Sequence, residues 1–342
     1  MDNFHFPIGR FFLCYDHSVT PIPWARASAA LIAVFLQLPA FFSACTPLPD
    51  TLPPTKADAP GREPCLDVFF FDDDSLGRLD AYQRFTLPWP DTLPALSRTG
   101  PKRMVVLTNT SEDPYAWSGI RSRETLAGEA FNLEDEDPAL PREWGELHIL
   151  DGGAVRAADI ALRPMLCRIV VNSLSCDFSD RPYRGAVLQD VKAYLTHVRT
   201  QTHPLRGEAD RGGSWINPGY LDPAALAAFS HSELILAPVA ESVGEEPLFP
   251  AVTLSCYPNP AREESLGTPV TTLVIEGMLL GSPTYYPIRL GALEAGVSYQ
   301  IDLCFTRAGA GDPDSPVASG TFTLRVQAAP WNHRQETVIR YE

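Results

Sequence analysis

The segment Thr321–Gln327 reads TFTLRVQ and alternates polar and apolar residues, which is typical of a β-strand. Because successive strand side chains point to opposite faces, Phe322, Leu324 and Val326 should share one face. Further segments with strand character recur along the chain: Cys65–Phe71, Lys102–Thr108, Glu146–Leu150, Ala186–Val198, Val252–Tyr257, Thr271–Ile275, Tyr285–Leu290 and Ser298–Phe305. The pattern predicts a mainly β protein, which we expect to form two sandwiches.

Proline is abundant, with 33 residues in a chain of 342. Because proline removes a backbone donor and breaks helix interiors, long helices should be scarce. Two short segments nevertheless favour a helix, Ser122–Ala130 and Asp222–Phe229. In the second segment Asp222 is the expected N-cap and Pro223 lies in the first turn.

The overall composition limits the class of partner. Hydrophobic residues make up 45% of the chain and charged residues 20%, which is enough apolar material for a packed core. The formal net charge of -15 argues against a nucleic-acid binder, since such proteins need basic surface to displace counterions from phosphates. The same charge argues against electrostatic adsorption to an anionic membrane. Any contact with a membrane should therefore be made through a hydrophobic segment or anchor.

An apolar run near the start has the character of an export signal. Ala29–Phe42 reads AALIAVFLQLPAFF, follows Arg26, and leads into small residues. A membrane-spanning helix needs roughly 20 apolar residues, so this run is short for one. The preceding residues, Met1–Ile22, are long and weakly charged for a signal, which leaves open a true start downstream of Met1.

The residues after this run, Phe42-Ser43-Ala44-Cys45, resemble the bacterial lipobox, with Phe42 where leucine is more usual. The resemblance implies cleavage before Cys45 and lipidation of its sulfur, with residues 1–44 as a lipoprotein signal peptide. The alternative is an ordinary signal peptide with a coincidental cysteine. Thr46–Pro64 is rich in proline, and we expect residues 45–64 to form a semi-extended tether.

Five cysteines follow the tether, and none forms a CxxC pair or lies at metal-ligand intervals from histidines. They are Cys65, Cys167, Cys176, Cys256 and Cys304. Because the number is odd, at least one should be a free thiol or pair between chains. We expect most of them to be buried as small apolar residues.

Sequence motifs give no positive case for an enzyme, a metal site or a cofactor. The acidic segment Asp72–Gly77 lacks two ligands of a calcium loop, with Leu76 and Gln83 in their places, and is predicted to be a solvated turn. Asp312-Pro313-Asp314 is predicted to be a turn between strands. His197 and His203 have no carboxylate at useful spacing, and the Gly-rich segment Gly207–Ser214 has the character of a surface loop.

Several ordered segments resemble the fimbrillin superfamily of Bacteroidales fimbriae. The resemblance implies two transthyretin-like β-sandwich domains in tandem, at residues 65–163 and 164–342, with no catalytic residues. The segments are Cys65–Leu79, Arg168–Val171, Cys256-Tyr257-Pro258-Asn259, Thr271–Gly277, Tyr285–Ile288 and Trp331.

Within that superfamily the chain most resembles the lipidated anchor subunit. The only arginine between Cys45 and the first body strand is Arg62, and the proline-rich Thr46–Arg62 holds no alternating strand for proteolysis to release. We therefore expect an unprocessed subunit at the base of a fimbrium, surface-exposed on the cell outer membrane and held there by lipid on Cys45. Its partners would be fimbrial stalk subunits, bound by β-strand exchange.

Two other functions stay open from the sequence. The first is a tip or stalk subunit, because the alternating segment Glu336–Tyr341 could be an exchanged strand or simply the last strand of its domain. The second is a surface lipoprotein that binds glycans through exposed aromatic residues. The candidate aromatic residues are Trp89, Trp117, Trp144 and Trp215.

Overall fold

The computed structural model describes residues 64–86, 92–93, 98, 100–110, 113, 116–149, 158–203, 205–206, 214–262, 267–331 and 339–341. Residues Arg62–Glu342 form one compact unit. The predicted signal peptide, the predicted lipidation site Cys45 and nearly all of the predicted tether lie outside the described residues.

The described part is mainly β, as predicted. In chain order the first nine strands are β1 (Cys65–Asp72), β2 (Leu79–Thr86), β3 (Thr92–Leu93), β4 (Lys102–Thr108), β5 (Phe131–Asn132), β6 (Glu143–Ile149), β7 (Ala158–Ile160), β8 (Arg163–Pro164) and β9 (Cys167–Cys176).

The remaining strands are longer on average and form most of the second sandwich. They are β10 (Leu188–Thr196), β11 (Val198–Arg199), β12 (Gln201–Thr202), β13 (Trp215–Ile216), β14 (Leu236–Val243), β15 (Val252–Cys256), β16 (Thr272–Leu279), β17 (Ser282–Arg289), β18 (Val297–Phe305), β19 (Phe322–Pro330) and β20 (Ile339–Tyr341).

The first sheet has the order β2-β1-β4-β6-β8, and all its neighbours are antiparallel. The strand β1 lies inside this sheet, between β2 and β4, and is buried on both faces, which explains its nearly continuous apolar sequence. Phe69 and Phe71 face the large core of the molecule. Leu66, Val68 and Phe70 face a second, smaller cluster that includes Ile160 of β7.

Two four-stranded sheets make the second sandwich, with the orders β14-β10-β16-β17 and β15-β9-β18-β19. In β10, the alternating residues Val191, Ala193 and Leu195 are buried in the shared core. Across the two sheets the rings of Tyr286 and Phe305 stack, with centroids 3.7 Å apart. This contact shows that the two sheets pack face to face.

Most predicted strands are present, and the differences concern their ends. Lys102–Thr108 has the predicted bounds, whereas the strand expected at Glu146–Leu150 begins at Glu143. Val326 is 39% exposed, whereas Phe322 and Leu324, which were predicted to share its face, pack against the large core. The reason is that β19 is an edge strand, bonded only to β18 among the described strands, so its outer half lies beyond the core.

Both predicted helices are confirmed, although each is shorter than its segment. They are α1 (Arg123–Ala127) and α2 (Pro223–Ala228). The Asp222 side chain accepts hydrogen bonds from the amides of Ala224 and Ala225, which confirms it as the N-cap of α2. Among the described residues, no helix has both the length and the apolar character that crossing a bilayer requires.

The division into domains at 163/164 stays a prediction. Short strands join the two regions, because β12 pairs with β5. In addition, the amide of Leu133 donates to the carbonyl of Thr200 at 2.8 Å. The large core also includes residues from both regions, such as Phe69 and Ile169.

Candidate assembly site

The last described strand, β20, lies between two short strands from the first half of the chain. It pairs in parallel with β3, where Arg340 is opposite Thr92. It pairs antiparallel with β7, where Ile339 is opposite Ile160 and Arg340 is opposite Asp159. We call this position, bounded by Thr92–Leu93 and Ala158–Ile160, the strand slot. A segment from the far end of the chain thus completes a sheet in the first sandwich.

The strand slot adjoins the smaller apolar cluster of the first sheet. Ile160, in one wall of the slot, is 2% exposed and packs in a cluster with Leu66, Val68, Phe70, Met104 and Val106. These side chains come from the face of β1 and β4 that is directed away from the large core. Loss of β20 would leave β7, which contributes Ile160 to this cluster, bonded to no other described strand.

A proline in β20 should therefore open the slot. Arg340→Pro removes a backbone donor from a strand with neighbours on both sides, and we expect it to destabilise the protein by about 2 kcal/mol. Increased fluorescence of an added apolar dye would report the uncovered face. The matched control is Arg340→Ala, which keeps the backbone ladder and should bind no additional dye. Equal dye binding by the two variants would contradict the role of β20.

A buried polar contact links the two regions of the body. The Tyr257 hydroxyl donates to Glu136 Oε1 at 2.8 Å, and both residues are 0% exposed. Glu136 also accepts from the backbone amide of Arg142 and lies 3.6 Å from its guanidinium. Burial, and then the neighbouring Glu136 carboxylate, raise the pKa of Tyr257 well above its usual value. Tyr257 is therefore a neutral donor at any physiological pH.

The Tyr-Pro-Asn segment that carries part of the resemblance has two structural roles, one for its tyrosine and one for its asparagine. Tyr257 makes the contact with Glu136, while Asn259 orders the turn that follows β15. The Asn259 side chain donates to the Pro269 carbonyl at 2.9 Å and accepts from the Ala261 amide at 3.1 Å. It is fully buried, so each of these bonds satisfies a group that has no access to water.

A second buried ionic group lies in the first sheet, within β1. Asp67 is 0% exposed and accepts from Arg84 Nε at 2.7 Å and from Arg84 Nη2 at 3.0 Å. The hydroxyls of Tyr82 and Thr110 donate to the same carboxylate at 2.7 and 2.6 Å. The hydrogen bond to Asp67 contributes most to raising the pKa of Arg84 above its ordinary value. The geometry is that of a structural ion pair in which both carboxylate oxygens of Asp67 accept hydrogen bonds.

Both acidic loops are turns, as predicted. Asp74 Oδ1 accepts from the amides of Leu76 and Gly77 at 2.9 and 2.8 Å. Asp312 Oδ1 accepts from the amide of Ser315 at 2.8 Å, and hydrogen bonding by the Ser315 hydroxyl is the main cause of the lowered pKa of Asp312. In both loops Oδ1 of an aspartate, Asp74 or Asp312, therefore accepts hydrogen bonds from backbone amides of its own turn.

The aromatic residues considered for glycan binding do not form an exposed platform in the described part of the chain. The glycan-binding alternative requires Trp117 to be exposed, but it is only 8% exposed and packs edge-on against Phe69, with centroids 5.5 Å apart. It forms one wall of a small polar cleft of about 170 Å³. Trp144 and Trp215 are half-buried, and Trp89 lies outside the described residues.

The sequence predicts no site at His197 or His203. In the structure His197 lies between β10 and β11 with φ at +52°, and burial is the main cause of its lowered pKa. The Asp314 carboxylate lies near enough to His197 to oppose this lowering of its pKa. Most of Gly207–Ser214 lies outside the described residues. Four of the five body cysteines are buried, as expected, and Cys304 is half-buried.

The sequence did not predict which segments pair with β20 or which residue binds Tyr257. The slot strands β3 and β7 have two and three residues, which is too short for a periodic pattern. The contact between Glu136 and Tyr257 spans 121 residues of sequence. The one available signal was the alternation in Glu336–Tyr341, which includes β20.

Comparison with known proteins identifies the fold. No family model matches the chain, and no curated protein matches it. Among solved structures, a candidate cell adhesion protein from Bacteroides eggerthii superposes with a TM-score of 0.54 at 17% identity, covering 78% of this chain and 89% of that chain. A second candidate cell adhesion protein, from Parabacteroides distasonis, gives 0.54 at 13% identity, with 82% and 95% covered.

A third solved structure is that of a fimbrilin (fimA) from Porphyromonas gingivalis. It superposes with a TM-score of 0.52 at 13% identity, covering 79% of this chain and 91% of that chain. The chain thus has the β-sandwich fold of these adhesion and fimbrial proteins, over nearly their whole length.

Proposed function

We propose that the protein is the anchor subunit of a cell-surface fimbrium. Lipid on Cys45 would hold it in the outer membrane, and β-strand exchange would join it to a stalk subunit. It would have no catalytic role and need no cofactor. The fold shared with a fimbrilin supports a fimbrial subunit, and the lipobox-like Phe42-Ser43-Ala44-Cys45 supports lipid anchoring.

The observation that carries this proposal is the position of β20. A short strand held between β3 and β7 by backbone hydrogen bonds is a segment that a strand from another subunit can replace, since backbone pairing requires little side-chain specificity. The wall residue Ile160 and the apolar cluster beneath it would supply the burial that a replacing strand needs.

A subunit at the end of a polymer needs only one connection of this kind. A subunit inside a stalk must both accept a strand and donate one. Exchange of β20 at the strand slot would supply the one connection that the end of a fimbrium requires. Anchor and tip share this property, and the leader favours the anchor because a lipid at Cys45 would fix one end to the membrane.

Replacing Cys45 by alanine tests the anchor. We expect Cys45→Ala cells to release fimbriae into the medium, or to bear abnormally long ones, because the polymer would lose its membrane attachment and its terminator. The measurement is the distribution of fimbriae between cells and medium, together with incorporation of a palmitate analogue into the protein. Cys14→Ala is the matched control and should change neither.

Attached fimbriae of normal length in Cys45→Ala cells would contradict the anchor proposal. Retained lipid label would place the modification at another residue. Loss of the label with normal fimbriae would favour a tip subunit or a surface lipoprotein outside the fimbrium.

A further inference from the structure

Two buried cysteines face each other across neighbouring strands. Cys167 begins β9 and Cys256 ends β15, and they are direct partners in the antiparallel register. Both are 0% exposed, and their sulfur atoms are 3.3 Å apart. Cys167 Sγ also lies 3.1 Å from the Cys256 carbonyl oxygen.

This geometry suits a covalent bond between the two sulfurs. Opposed residues of an antiparallel pair have Cα atoms about 4.5–5.5 Å apart, which falls within the range of about 4.4–6.8 Å that disulfides span. Opposed side chains also share one face of the sheet. Rotation of the two side chains would therefore bring the sulfurs to bonding distance with no shift of the strands.

The other body cysteines are not opposed in this way. Cys176 on β9 is paired with Phe305 on β18, and the neighbouring Cys304 is paired with Ser175. Cys65 lies in β1, in the first sheet. The register therefore selects one pair, Cys167 with Cys256.

We propose that Cys167 and Cys256 are joined by a disulfide in the mature protein. The two thiols would lose two protons and two electrons to form one sulfur–sulfur bond. A disulfide oxidant, either a thiol–disulfide oxidoreductase or a small disulfide, would accept them and be reduced to two thiols. The presence of such an oxidant rests on the proposed function, because it requires export of the protein. The geometry of the cysteine pair is independent of export.

Burial determines when the bond forms. The hydrogen bond with Cys167 and then burial raise the pKa of Cys256 well above its usual value, so the folded thiol is a poor nucleophile. Oxidation therefore occurs while β9 and β15 are pairing, when the thiols are still accessible. Once the sheet has closed, the same burial shields the bond from reductants.

The disulfide would fasten an edge strand. In the described sheet β15 is bonded only to β9, and the next residue, Tyr257, makes the buried contact with Glu136. A bond at Cys256 would thus hold the end of β15 from which the link to the first sandwich begins.

Oxidative refolding tests the proposal independently of export and lipidation. The full chain is reduced, denatured and refolded in detergent with oxidised and reduced glutathione, then alkylated under denaturing conditions. Non-reducing digestion and mass spectrometry should show the Cys167 peptide linked to the Cys256 peptide, lighter by two hydrogen masses than the separate peptides. All other cysteines should be alkylated.

Thermal unfolding gives a second readout. A reductant that reaches the denatured chain should lower the Tm of the wild type by about 10 °C. The matched control Cys176→Ala should keep this dependence, and Cys167→Ala/Cys256→Ala should lose it. If the double variant fails to fold, the peptide map of the refolded wild type alone shows whether the disulfide is present. Alkylation of both cysteines after oxidative refolding, or linkage of either to another cysteine, would overturn the proposal.

Discussion

Asp67→Ala should lower the free energy of unfolding by about 3–5 kcal/mol, because it leaves a largely buried guanidinium without its carboxylate. Arg84 directs two nitrogens at Asp67, and its side chain is only 14% exposed. Tyr82 and Thr110 would lose the acceptor of their hydroxyl protons in the same change. Water has little access to the vacated position, since Asp67 is 0% exposed and Thr110 is 5% exposed.

Chemical denaturation of four variants separates the ion pair from the surrounding packing. Asp67→Ala, Arg84→Met and the double variant complete a cycle with the wild type, and the double variant should be more stable than the sum of the single losses implies. Asp312→Ala, at an exposed turn carboxylate, is the matched control and should cost much less than Asp67→Ala. A loss of that small size in Asp67→Ala would show that the carboxylate is not the group holding Arg84.

The strands with a long, regular pattern could be predicted from the sequence. Lys102–Thr108 is apolar through its middle and has the predicted bounds, and Asp222 is the predicted N-cap. By contrast, β2 reads LDAYQRFT, in which polar and apolar residues do not alternate cleanly. The reason is that Tyr82 and Arg84 bind the buried Asp67, so polar groups stand in β2 where a regular pattern would have apolar residues.

The assembly site could be predicted only in part, because its parts are distant in sequence. The alternation of Glu336–Tyr341 allowed either an exchanged strand or a last strand, and the structure places β20 in its own slot. The walls β3 and β7 were not predictable, since their hydrogen bonds depend on a partner from the other end of the chain. Local patterns carry no information about such pairings.

Glu136→Ala should cost about 3 kcal/mol and loosen the link between the two regions of the body. The change leaves Arg142, which is 3% exposed, beside a cavity where its carboxylate had been. It also removes the acceptor of the buried Tyr257 hydroxyl. Glu134→Ala, two residues away and exposed, is the matched control and should have little effect.

Hydrogen exchange can show whether the loss is local to the link. The Leu133 amide, bonded to the Thr200 carbonyl at 2.8 Å, should exchange faster in Glu136→Ala, whereas amides in the central strand β16 should change only by the global loss. Tyr257→Phe removes the hydroxyl alone and should produce a smaller acceleration at Leu133. Uniform acceleration across the body would contradict a link at Glu136. A selective effect would mean that this buried contact couples the sandwich holding the strand slot to the rest of the body, so that force applied at either end would be carried through it.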